Sequence, residues 1–344
     1  MKKFSYLILA FSLMLTGCGQ KNETFPPRPI VSGEVWNDTD GNPINAHGGG
    51  VIYHEGVYYW YGEYKGDETY RNPEVPDWEC YRTEAGGVAC YSSTDLSNWK
   101  FEGIVLKPEK KKGHDLNPSG VIERPKVIYN DQTKQFVMWM HIDSHDYSKA
   151  AAGVAVSKKP TGKFKYLGSM RPNDQMSRDM TLFKDDDGTG YLIYSSEENA
   201  TLHICRLSDD YLQPTTNYVR KFIGESREAP AVFKRNGRYY IITSGCTAWD
   251  PNTAQYATTT NLMGSWLVMG NPCSGKDFHL TFYGQSTHVF PVVGKPDAYI
   301  AMFDKWNKTD LKRSGYIWLP VAFGSNNTIN ITWMRSWEMS LFDR

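Results

Sequence analysis

The chain has 344 residues, 40% hydrophobic and 22% charged, ordinary composition for a folded chain with a large core. Lys plus Arg equals Asp plus Glu at 38 each, so the zero net charge excludes an electrostatic case for nucleic acid or an anionic membrane surface. Aromatics reach 14%, with 22 Tyr and 11 Trp; part is β propensity, and the remainder fits a surface that stacks on flat apolar faces such as sugar rings.

Taken in order, the chain begins with a processing segment. Lys2-Lys3 precedes an apolar run from Phe4 to Leu15 that is too short to span a bilayer. Leu15-Thr16-Gly17-Cys18 resembles a bacterial lipobox, which makes Cys18 the expected lipidation site; an ordinary secretory signal with a chance Cys is the alternative. The expected layout is therefore a signal peptide at 1–18, a Pro-rich tether at 19–30 and one domain over 31–344. That layout describes an exported bacterial lipoprotein, periplasmic or at the cell surface, monomeric, with membrane contact only through its lipid. In such an oxidising compartment Cys80 could pair with Cys90 and Cys246 with Cys273, while Cys205, inside an alternating run, reads as a buried hydrophobe.

Five stretches then repeat one unit. Residues 45–63, 123–141, 179–196, 226–245 and 285–304 each place a polar group before an apolar run, a turn and a second apolar run. In 226–245 the turn is Asn236-Gly237, the strongest short hairpin signal because both central residues take φ > 0. A second strand pair follows each hairpin, ending with 314–333, and no credible amphipathic helix intervenes. Radial repetition predicts an all-β fold, a five-bladed β-propeller of four antiparallel strands per blade, with the last strand completing the first blade or its own. A β-sandwich is the alternative, but it predicts no polar residue recurring at one strand position.

In a propeller the inner strands line a central channel and their ends crowd one mouth. Asn45 and His47, Glu123, Asp179, Glu228, and Gln285 with His288 precede or open those strands. Carboxylates gathered in a partly dry pocket push their pKa values apart, giving a proton donor beside ionised partners, as glycoside hydrolysis requires. Other signals are weaker. Asp185-Asp186-Asp187-Gly188 reads as a hairpin turn without the trailing Glu of a calcium loop. Lys110–Lys112 reads as a solvated loop. Trp139, Trp249 and Trp306 stand where a sugar platform or rim packing would form. No metal site or cofactor is expected, apart from room for a structural Ca2+ in the channel near His288.

These motifs resemble glycoside hydrolase family 43, whose members are five-bladed propellers that cleave glycosidic bonds with inversion. The resemblance implies that Glu228 is the general acid and that Asp179 tunes its pKa. The family's usual general base, a first-blade Asp, has no counterpart at Asn45-Ala46-His47-Gly48. That absence, with INAHGGG and YYWYGE, resembles the galactan 1,3-β-galactosidase branch, in which a fifth-blade Gln takes the base position. Gln285 maps there. Glu123 and Glu63 would bind sugar hydroxyls, with Tyr147, Asn199 and Thr247 from loops after the inner strands.

A neutral amide has no readily protonated site near pH 7. Gln285 therefore either works through an imidic-acid tautomer or only positions the water, the reading favoured here. His47 or His288 could take the proton instead. Inversion then predicts that Glu228 and Gln285 stand about 6.5–9.5 Å apart. The implied activity is exo-hydrolysis of β-1,3-galactan, with an oligo- or polysaccharide partner. The alternatives are an α-L-arabinofuranosidase, a β-xylosidase, or a non-catalytic glycan-binding lipoprotein.

Overall fold

The computed structural model describes residue 1, residues 25–66 and residues 68–343. Cys18 and the first half of the expected tether, residues 19–24, lie outside the described residues.

Apolar alternation and tight turns produce antiparallel ladders along most of the chain. The first sheet is built from His47–His54, Val57–Lys65, Ala85–Ser93 and Lys100–Leu106. The second takes Val121–Asn130, Gln135–Asp143, Ala151–Ser157 and Lys165–Met170. The third takes Met180–Lys184, Gly190–Ser196, Thr201–Leu207 and Pro214–Lys221. The fourth takes Arg227–Arg235, Arg238–Gly245, Gln255–Thr259 and Leu267–Gly270. In each, every strand pairs with the one before it, which is the propeller-blade pattern.

The expected five blades of four strands are corrected here. The hairpin at 285–304 forms a fifth sheet of only three strands, Gln285–Pro291, Tyr299–Lys305 and Gly315–Pro320. A sixth sheet of three strands combines Cys273–Ser274, Ile329–Thr332 and Ala322–Phe323. Counting each sheet of three or more strands as a blade gives six blades, not five. Pro320, which has no N–H to donate, closes the fifth ladder, and the chain then turns away to build the sixth. The sixth sheet holds a parallel pair, Cys273 opposite Ile331, which no hairpin pattern announces. Nor does the last strand complete a blade. Gly33 N–H donates to the Tyr316 carbonyl at 2.7 Å, and Tyr316 N–H to the Glu34 carbonyl at 3.0 Å, so the N-terminal stretch covers the edge of the fifth sheet. Ile30–Val31 pairs with Ser336–Trp337 beyond it.

The first strands of the first five sheets lie side by side around the axis, with His47–His54 packed against both Val121–Asn130 and Gln285–Pro291. Four of them carry a register shift near the cleft end, at His47/Gly50, Glu123/Lys126, Glu228/Ala231 and Ser286/His288. Bulges of this kind re-aim side chains beside active sites. In two of them a non-glycine residue takes the left-handed conformation, Arg124 at φ 53° and Ala229 at φ 52°. Gly48 has φ +57°, and a Cβ there would stand 2.0 Å from Glu63 Oε1, so only glycine fits.

Five of the eleven tryptophans are buried, Trp60, Trp99, Trp139, Trp318 and Trp337. Trp60 packs on Trp99 and Trp318 at ring separations of 5.4 and 4.9 Å, and Trp36 lies 5.2 Å from Trp318. Trp318 is fully buried at the meeting of the first and fifth sheets. Trp318→Ala is expected to cost about 3–5 kcal/mol, read as a lowered urea midpoint at unchanged slope.

The described cysteines are all free, so the pairings Cys80–Cys90 and Cys246–Cys273 are not formed. Cys90 is buried against Tyr61 and Pro160, whereas Cys246 is exposed at the cleft, and Cys273 packs into the core from the sixth sheet. Cys205 is buried in the third sheet, as its alternating run suggested.

Candidate functional site

A cleft of about 680 Å³ opens where the inner strands begin. Glu63, Glu123, Tyr147, Asp179, Asn199, Glu228, Thr247 and Gln285, all expected from sequence, line it. The convergence follows from the fold. Each polar group sits at the same end of an inner strand, on the loop after the second strand or, for Glu63, near the end of the second strand itself, and closing the ring brings those ends together.

Asp179 acts on Glu228 directly through its charge and is itself fixed by Arg124 and the Ala229 N–H. Asp179 Oδ2 accepts the Ala229 N–H at 3.1 Å and Arg124 Nη2 at 2.9 Å. Burial, then the negative charge of Asp179, push the Glu228 carboxyl up to about 8, with Arg124 opposing. Glu228 is thus protonated at neutral pH, the state a proton donor needs. Glu123 behaves oppositely. Burial works against its charge, but the hydrogen bond from His141 and the charges of Lys65, His141 and Arg124 hold it down at about 2. Its Oε1 accepts the Tyr147 hydroxyl at 3.1 Å.

Gln285 has all four amide positions filled. Oε1 accepts Arg124 Nη2 at 2.6 Å and Trp306 Nε1 at 2.8 Å. Nε2 donates to Glu228 Oε1 at 2.9 Å and to Ser244 Oγ at 3.0 Å. Guanidinium and indole can only donate, so they fix which end of the amide faces Glu228. The expected 6.5–9.5 Å gap between Glu228 and Gln285 is absent, because Gln285 sits directly beside the acid. An imidic O–H at Oε1 would also face two donors and no acceptor.

Glu63 is less free than expected. Its Oε1 accepts the Arg124 backbone N–H at 2.9 Å, and its Oε2 lies 2.6 Å from Lys65 Nζ. Lys65 in turn lies under Trp249 and Trp306, 5.6 and 5.4 Å from their ring centroids. The Thr247 hydroxyl donates to the Asp250 carbonyl at 2.6 Å, whereas Asn199 Oδ1 has no partner. Arg178 Nε and Trp249 Nε1 are also unpartnered in the cleft wall. A polyhydroxylated ligand supplies what such atoms lack.

Neither histidine weighed as a base lines the cleft. His47 is buried and stacked on Tyr316 at 5.1 Å. His288 is held neutral, its pKa pushed down to about 3 by burial and by Lys126. Trp139 is also core, donating to the Tyr211 carbonyl at 2.8 Å, while Trp249 and Trp306 do reach the cleft. Arg124 was not singled out in the sequence. The one signal for it is its place in Glu123-Arg124-Pro125-Lys126, where strand alternation assigns it to the face opposite Glu123.

Cation binding has little to work with. Glu123, His141 and Asp179 offer ligand atoms within 4.8 Å of one another. His141 is pushed up to about 9: burial opposes its charge, but the bonds to Asp143 and Glu123 prevail, and an imidazolium has no lone pair for a metal. Arg124 already occupies Asp179. In the channel, Lys126 Nζ donates to the Gly48 carbonyl at 2.7 Å, and His288 Nε2 lies 3.1 Å from the Val51 carbonyl. A lysine among those oxygens does not suit a Ca2+ site. The Asp185–Gly188 stretch is a hairpin turn, with Asp185 paired to Lys234 at 2.5 Å.

The model of the family Glycosyl hydrolases family 43 matches residues 51–289. A solved family 43 β-1,3-galactosidase with galactodeoxynojirimycin is 43% identical, with a TM-score of 0.84, over 90% of this chain and 100% of that one. An exo-β-1,3-galactanase from Clostridium thermocellum is 39% identical, with a TM-score of 0.79, over 90% of this chain and 66% of that one. An exo-β-1,3-galactanase from Phanerochaete chrysosporium with β-1,3-galactotriose is 34% identical, with a TM-score of 0.79, over 90% of this chain and 68% of that one. No curated protein matches.

Proposed function

The chain belongs to the glycosyl hydrolases of family 43, and from that premise we propose that it is an exo-acting, inverting hydrolase that releases galactose from β-1,3-galactan. The observation that carries the mechanism is a carboxyl kept protonated, Glu228 near 8, in a cleft where the Glu123 carboxylate is kept ionised. The substrate follows from the relatives, whose names specify β-1,3-galactosidase and exo-β-1,3-galactanase.

In this reading Glu228 gives its proton to the glycosidic oxygen. The resulting carboxylate is met by the Gln285 N–H already aimed at it, a bond that strengthens as charge develops. Asp179, fixed by Arg124 and the Ala229 N–H, keeps Glu228 loaded before the reaction. Gln285 places the attacking water once substrate binding releases one of its N–H bonds; as that water bonds to the anomeric carbon and the glycosidic C–O bond breaks, the water's proton passes to solvent in the open cleft. Glu123 and Tyr147 hold sugar hydroxyls, and Trp249 and Trp306 supply an apolar wall. The charged Lys2-Lys3 start and Leu15-Thr16-Gly17-Cys18 support export and tethering through Cys18.

Incubation with linear β-1,3-galacto-oligosaccharides is expected to release galactose, with the α anomer first by NMR, the outcome of inversion. Binding without release would favour the non-catalytic reading. Release of the β anomer would show retention instead.

A further inference from the structure

Five loops rim the cleft, each joining the second and third strands of one of the first five sheets, and their lengths are unequal. The first-sheet loop has nineteen residues (66–84), the second seven (144–150), the fourth nine (246–254) and the fifth nine (306–314). The third-sheet loop has only four (197–200). Long loops raise the wall on four sides and leave it low on the third.

The raised loops are tied to one another. On the second-sheet side, Asn72 Nδ2 donates to the His145 carbonyl at 2.8 Å, Glu74 pairs with His145 at 2.9 Å, and Trp78 packs on Tyr147 at 5.7 Å. On the fifth-sheet side, Leu311 N–H donates to Thr69 Oγ1 at 2.9 Å. Lys308 joins three loops at once. Its Nζ lies 2.5 Å from Glu79 on the first-sheet loop and 2.9 Å from Asp250 on the fourth-sheet loop. Beside it Trp249 meets Trp306 edge to face at 5.1 Å. The wall therefore runs from the second sheet through the first and fifth to the fourth.

The third side differs in kind. Glu197, Glu198 and Asn199 all take left-handed backbone, at φ 54°, 53° and 62°. The turn is held down by Glu197, which accepts Arg220 Nε at 2.5 Å and pairs with His203 at 2.9 Å. Glu198 is 72% exposed at the cleft edge, with Arg178 paired to it at 2.8 Å. Consecutive strained residues in a short pinned turn keep this side low.

Resting on the hydrolase reading above, we propose that Lys308 is a specificity-determining residue. It closes the wall that makes the cleft a dead end, so a galactan chain enters only by its end and the rest of the chain leaves over the 197–199 turn. Lys308 acts by joining loops and touches no reacting atom. Its two ion pairs are solvent-exposed, so each is weak and sensitive to salt.

The test compares wild type with Lys308→Ala and with the Glu79→Gln/Asp250→Asn double variant. Hydrogen exchange in segment 68–84 is expected to quicken about fivefold in both variants and in wild type at 1 M NaCl. On linear β-1,3-galactan, wild type is expected to give galactose as the sole early product, while both variants also give di- and trisaccharides, with kcat/KM on β-1,3-galactobiose within about twofold of wild type. Unchanged exchange, or galactose alone from the variants, overturns the proposal. Quickened exchange in the variants with no galactose from wild type upholds the loop connection and overturns the hydrolase reading instead.

Discussion

Glu228→Gln is expected to lower kcat on β-1,3-galactan by about 10²–10⁴-fold, the range that general acid catalysis supplies, while binding of β-1,3-galactobiose by calorimetry stays near wild type. The amide keeps the shape and one acceptor oxygen but carries no proton acidic enough to give to the leaving oxygen. A dinitrophenyl galactoside, whose leaving group needs no protonation, is expected to lose far less rate on the variant. A loss as large on that substrate would show that Glu228 acts on something other than the leaving oxygen.

The same residue sets the pH response. Its folded-state pKa is raised to about 8 from the ordinary 4.5, so the acid is loaded below about 8 and lost above it. Wild-type kcat/KM should therefore fall as pH rises through 8. Stability depends on the same proton. Between 4.5 and 8 the unfolded state has given up the proton that the folded state keeps, so this carboxyl makes folding less favourable as pH rises. Glu228→Gln removes that cost and is expected to melt above wild type at pH 9. A lower melting temperature there would contradict the assigned protonation state.

Gln285→Ala is expected to cost about 10²–10³-fold in kcat, comparable to removing one donor aimed at developing negative charge, with a small change in sugar affinity. It also has a signature that mere destabilisation would not produce. The Gln285 N–H bond favours the ionised form of Glu228, so removing it should move the basic limb of the pH profile above 8. Unchanged turnover would remove Gln285 from the mechanism. Lost turnover with an unmoved basic limb would leave it a role at the water alone.

Much of the architecture was legible because it is local. Asn236-Gly237 and its flanking runs specify a hairpin without help from the rest of the chain, and the other hairpins do the same. Glu228, Asp179 and Gln285 stood out because each precedes or opens an inner strand, and ring closure carries those positions to one mouth. The blade count failed for the complementary reason. Cys273–Ser274 lies parallel to Ile331–Thr332, some 58 residues later, and a pairing across such a distance leaves no short-range pattern.

The sequence by itself determined the all-β hairpin repeat, the resemblance and the acid that opens the fourth sheet, since strand period, turn chemistry and motif spacing act within a few residues. Only the tertiary structure decided what those groups do to one another. Arg124 joins Glu123 in the cleft because a left-handed residue breaks the alternation that would have sent it to the other face. Once there, its guanidinium holds Asp179 and the Gln285 oxygen together, although the three residues are 55 or more positions apart in sequence. Desolvation, charge coupling and the filling of an amide's four hydrogen bonds depend on distances in space, and no linear spacing encodes them.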